Sequence, residues 1–112
     1  MARIWIDDTL NQVEKVQPEG FEETLTITFR PALPSKVIAY EDSQAGASGE
    51  QLVMNLYKFI LDHLVAWDLT DMQDRPAPLK AESLFHLHEA YIWSIEKAIR
   101  LSSRKVAEAK KG

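Results

Sequence analysis

The sequence holds no cysteine. That removes disulfides, thiolate nucleophiles and thiolate metal ligands, and makes a reducing compartment unproblematic. There are four glycines, none set between a strand pattern and a helix pattern, so no loop is built to cradle phosphate. No apolar run approaches the roughly 20 residues of a membrane-spanning helix. The first residues, Met1-Ala-Arg-Ile-Trp-Ile-Asp-Asp, place acids where a signal peptide needs an apolar core. The expected location is therefore the cytosol. Internal repeats and low-complexity tracts are also missing. General nucleic-acid binding is disfavoured, because the net charge is −4 and no broad basic face is evident.

What is present is an ordinary globular balance over 112 residues, 46% hydrophobic and 27% charged. One domain, 1–112, is expected, with a core small enough that oligomerisation would help it. The charge is unevenly spread. Residues 1–96 carry seven Lys/Arg against sixteen Asp/Glu, whereas 97–112 carry six basic residues against Glu108 alone. The basic end, fraying over 106–112, either complements the dipole of the last helix or contacts an acidic partner.

The spacing predicts α+β architecture: a small N-terminal antiparallel sheet within residues 1–34, followed by a helical hairpin of two long helices. Residues 2–6 form a possible short strand, and 12–17 a weaker one. In Glu23–Arg30, Leu25, Ile27 and Phe29 alternate with threonines, the period of a half-buried strand. Residues 35–42 fit a short helix better than a strand. Ser48 and Gln51 have the spacing of a capping box, opening a helix over 48–67. Leu52, Val53, Leu56, Tyr57, Ile60, Leu64 and Trp67 share one face; Met54, Leu61 and Val65 make a second apolar line. Such a helix is either central in the fold or packs against another subunit. The last helix spans 81–105, with a break possible near Leu87. Its stripe is Leu84, Leu87, Tyr91, Ile95, Ile99 and Val106. Trp93 points opposite, among His86, Glu89, Lys97 and Arg100, so either the sheet or a partner covers it.

Catalytic and metal chemistry find little support. Asp71 and Glu82 stand at the first and twelfth positions of a calcium-loop spacing, but Arg75 fills a ligand position and Pro76 replaces the turn glycine. His86 and His88 lie two apart, on different sides of a helix, and His63 stands alone. Ser102 and Ser103 have no base in a persuasive context. Neither an enzyme nor a cofactor or metal site is expected.

Four stretches, "TITFRPALP", "LVAWDLTD", "PLKAESL" and "LHEAYIWSIEKAI", resemble the small tail assembly chaperones of long-tailed bacteriophages. The matching residues include Arg30, Pro31, Trp67, Asp68, Leu69, Thr70, Asp71, Pro78, Leu84, Leu87, Ile95, Ala98 and Ile99, over about residues 25–100. Met72-Gln-Asp-Arg75 departs from the family, which often has a Gly-containing turn there. The resemblance implies a non-enzymatic assembly factor in the cytoplasm of the bacterial host, binding the tape measure protein and other tail proteins and self-associating into a homo-oligomer. Trp93, Met54, Leu61 and Val65 are the expected interface residues; Arg30, Pro31, Trp67, Asp68 and Asp71 form the structural signature. Two other classes remain open: a neck or tail protein retained in the virion, and a small bacterial adaptor. In the family, a −1 ribosomal slip near the end of many short forms yields a longer product, and Ala109-Lys110-Lys111 can be encoded on a slippery heptamer. A lysine-rich helix end needs no translational role, so the codons decide.

Overall fold

A computed structural model describes residues 10–102. The possible strand at 2–6, the helix end at 103–105, Val106, the tail 106–112 and the Ala109–Lys111 stretch lie outside the described residues. The architecture is α+β: a three-stranded antiparallel sheet with helices packed on one face. Strand β1 is Gln12–Val16 and β2 is Leu25–Phe29. Helix α1 is Pro34–Ala45 and α2 is Glu50–His63. Strand β3, Leu64–Trp67, follows with no loop. Helices α3, Ala81–His86, and α4, Glu89–Arg100, complete the order.

β2 is the central strand. Its period-two pattern sends Leu25, Ile27 and Phe29 into the core, where all three are buried; Thr26 and Thr28 face the other way. α4 lies against β1 and β2, and α2 packs on α4, α1, α3 and β3. Ile60, Leu84, Ile95 and Ile99 fill the space between these layers and are fully buried. Burying side chains of this size contributes about 1.5–3 kcal/mol each, the main force holding helices to sheet.

Two helical expectations are corrected. The 48–67 helix stops at His63, and Leu64–Trp67 is a strand pairing with β2. The pairing slips between Thr28 and Phe29: Phe29 faces Leu64, Thr28 faces Ala66, and Ile27 faces Trp67. Val65 is thus the extra residue of a β-bulge. The bulge puts the inward positions 64 and 67 three residues apart, the spacing of a helix face, so the strand imitates a helical stripe. Leaving β2 unpaired on that side would strand its backbone donors and acceptors, and the sheet wins. The second correction is the capping box. Gly49, with φ of 56°, is the N-cap of α2, and no side chain caps it; the Gln51 amide donates to Asn55 Oδ1 at 2.7 Å instead.

The 81–105 helix is two helices. α3 ends at His86, Leu87 is extended, and His88 caps α4 by accepting the Ala90 N–H on Nδ1 at 3.1 Å. The expected break at Leu87 is present. So among the described residues the two long helices are three shorter ones, α2, α3 and α4, with β3 between the first two.

Candidate partner-binding surface

The signature residues build the frame. Arg30 closes β2, its backbone N–H donating to His63 O at 2.8 Å, and Pro31 is buried beside it. Trp67 ends β3 on the inward side, half-buried, its indole N–H donating to Ala77 O at 2.8 Å. Asp68 prolongs the ladder: its own N–H donates to Thr26 O at 3.1 Å, and its Oδ1 accepts the Thr26 N–H at 2.8 Å. A carboxylate here replaces the next strand carbonyl.

The acidic, proline-bearing crossing then folds into a small hairpin. Asp71 N–H donates to Arg75 O at 2.8 Å, and Ala77 N–H donates to Leu69 O at 2.9 Å. Asp71 Oδ1 accepts the N–H groups of Gln73 and Arg75 at 2.8 and 3.0 Å, and Oδ2 meets Arg75 Nε at 3.1 Å. Those two backbone donors, and then the guanidinium, hold the Asp71 carboxyl below its ordinary value. Asp74 at the tip has φ of 61°, the left-handed region where glycine is commonest. An aspartate thus holds the turn in a conformation that glycine favours.

The residues expected at an interface separate into two groups. Trp93 is 46% exposed, Met54 45% and Val65 38%. Leu61 instead packs, partly buried, against the core. The sheet does not cover Trp93, whose indole N–H donates to Glu89 Oε1 at 3.1 Å. The sequence reading missed Phe85 on α3, exposed and edge-on to Tyr57 at 5.2 Å, and Val13 and Ile38, both well exposed. Phe85 was legible as the apolar residue off the Leu84–Leu87 stripe; Val13 sits on the outer side of an edge strand.

Several of the groups considered for chemistry are engaged within the fold, and Ser103 lies outside the described residues. His88 caps α4 and lies edge-on to Phe21 at 4.6 Å. His63 Nδ1 is 2.8 Å from Phe59 O. Ser102 is fully buried and accepts the Ala32 N–H at 3.0 Å, tying the end of α4 to the start of α1. Tyr40 O–H donates to Glu96 at 3.1 Å, and Arg100 Nε donates to the other carboxylate oxygen at 2.7 Å. Burial, then the Glu96 charge, pushes the Tyr40 hydroxyl up to about 12. This triad pins α1 to α4, with the Tyr40 ring stacked on Phe59. Among the described residues, no group of three or more His, Asp or Glu could hold a metal ion, and no helix is long and apolar enough to cross a membrane. Comparison with family models, with curated proteins and with solved structures finds no match.

Proposed function

We propose that this chain is a non-enzymatic assembly chaperone of a long-tailed bacteriophage or prophage, working in the cytoplasm of the bacterial host. It binds the long, helical, aggregation-prone tape measure protein while the tail is built. The observation that carries this reading is the division of labour among the residues. The signature side chains Trp67, Asp68 and Asp71 are spent on backbone groups of the frame. Trp93 and Met54 stay about half exposed on two neighbouring helices. Aromatic and methionine side chains of this kind anchor helical partners and adapt to varied ones. A helix laid on either would bury part of its apolar stripe, the hazard a chaperone must hide.

The test is co-expression with the tape measure protein. The chain should raise the soluble fraction of the tape measure and co-purify with it. Trp93→Ser together with Met54→Ser should abolish both effects while leaving the melting temperature of the chaperone within a few degrees. Unchanged co-purification by that double variant, in a folded protein, contradicts the assigned surface.

A further inference from the structure

Two grooves meet at Leu69, Thr70 and Leu87, which line both. One, of about 330 Å³, opens before β2 against Phe21 and Tyr91. The other, of about 630 Å³, lies between the 69–77 hairpin and α3, with Ala77 and Pro78 on its hairpin side. Together they make one trough at the end of the sheet where β2 begins and β3 ends.

The floor is apolar and held from below. Phe21, Leu69 and Leu87 are partly buried, each packed against the core. Phe21 also meets the Tyr91 ring edge-on at 5.1 Å. The hairpin wall is pinned by the Trp67 indole and by the Asp71 turn. The α3 wall is fixed where Ser83 Oγ donates to Pro78 O at 2.7 Å. Met72 lines the trough from the hairpin and is fully exposed. A flexible apolar side chain held in water on a pinned turn is available to a partner.

The rim is acidic. Glu22, Glu23 and Asp68 line the first groove, which has no basic residue; Asp71 and Glu82 line the second. Besides His86, the second groove has one basic side chain, Arg75. That guanidinium is engaged: Nε meets Asp71 Oδ2 at 3.1 Å, and Nη2 donates to Gln73 Oε1. No ion pair among the described residues reaches Glu22, Glu23, Asp68 or Glu82.

We infer that this trough docks a segment of a partner protein that carries apolar side chains together with lysine or arginine. The floor takes the apolar side chains and the rim takes the cations. Charge complementarity selects that occupant. A nucleic acid, an anionic membrane surface or an acidic segment would meet uncompensated carboxylates and be repelled. A bare polycation would leave Phe21, Leu69, Leu87 and Met72 in water. The rim charges steer the encounter, and the floor supplies contact area. Both walls are already ordered by hydrogen bonds, so docking demands little reorganisation of this chain. Neither Trp93 nor Met54 lines the trough, and the inference does not rest on the tape measure reading.

Amide spectra of the isotopically labelled full chain test it. The probe is a synthetic amphipathic peptide of leucine and lysine, about four helical turns long. Its controls are the same peptide with glutamate for every lysine, and oligolysine of equal length. The leucine–lysine peptide should shift the Phe21, Leu69, Thr70, Met72 and Leu87 amides, and should bind more weakly as salt rises. Glu22→Gln, Glu23→Gln and Glu82→Gln combined should weaken binding about tenfold, and Met72→Ser should weaken it too. Asp42→Asn with Asp62→Asn, acids outside the trough, should leave it unchanged. All six residues are exposed, so every variant should keep the parent circular dichroism and melting behaviour. No binding of the leucine–lysine peptide overturns the inference, as do shifts spread evenly over the acidic surface. So does oligolysine or the glutamate peptide binding as tightly, or the triple variant binding like the parent.

Discussion

Trp67→Ala should lower stability by about 2–4 kcal/mol. The ring sits opposite Ile27 on the inward face of the sheet and packs against the core while remaining partly exposed. Large aromatic-to-alanine changes in full burial cost about 3–5 kcal/mol, and partial burial brings that down. The indole N–H adds a second loss, because Ala77 O would be left without its 2.8 Å donor, worth about 1 kcal/mol. Trp67→Phe separates the two: it keeps most of the ring and deletes only the donor, so about 1–2 kcal/mol is expected. Urea unfolding with a common slope measures both values. Amide exchange gives a sharper reading. With Trp67→Phe, the Asp71 and Ala77 amides, which close the 69–77 hairpin, should exchange faster while β2 amides do not. If Trp67→Ala costs less than about 1 kcal/mol, or if the hairpin amides keep their protection in Trp67→Phe, then Trp67 neither plugs the sheet end nor anchors the crossing.

Asp68→Ala should destabilise by about 1–2 kcal/mol by orphaning the Thr26 N–H, and Asp68→Asn by less; a neutral Asp68→Ala in urea unfolding would contradict the ladder role. Below the ordinary carboxylate value of 3.8, Asp71 should cease to support its turn, because its lowered value makes the stabilisation present above that pH and lost as pH falls further. Asp71→Asn should flatten that dependence in amide exchange of the Gln73 and Arg75 N–H groups. Tyr40, raised from 10.0 to about 12 by burial and Glu96, stabilises the fold fully below pH 10 and loses its contribution as pH rises through that window. Tyr40→Phe should show a shallower loss of stability over the same range in thermal melts. Calcium should leave the melting temperature unchanged, since both Asp71 oxygens are committed to Gln73 and Arg75; a calcium-dependent rise would revive the calcium-loop reading.

The α+β plan and β2 were legible because the Leu25–Ile27–Phe29 alternation is unbroken and its threonines favour an extended chain. The last stripe was legible too, and its break at Leu87 with it. The strand at 64–67 was not. A bulge at Val65 gives its inward residues the spacing of a helix, and only the unpaired side of a distant strand decides between the two. The same long-range pairing hid what Asp68 does, since its partner Thr26 lies 42 residues away. Asp71 illustrates the opposite case: its partners are local, and an aspartate followed by a turn near a proline is a legible Asx-type stop. Trp93 was placed by elimination from its helix stripe and is half exposed, whereas Leu61, on the second apolar line, is partly buried against the core.

The central claim, that this chain is a tape measure chaperone, is tested most directly by counting its copies by mass spectrometry in two fractions of one phage-producing culture. One is the soluble tape measure complex captured before tails form; the other is the purified particles. The account predicts several copies per tape measure chain in the first and none in the second. Stoichiometric copies in the particles, or none with the soluble tape measure, would contradict it.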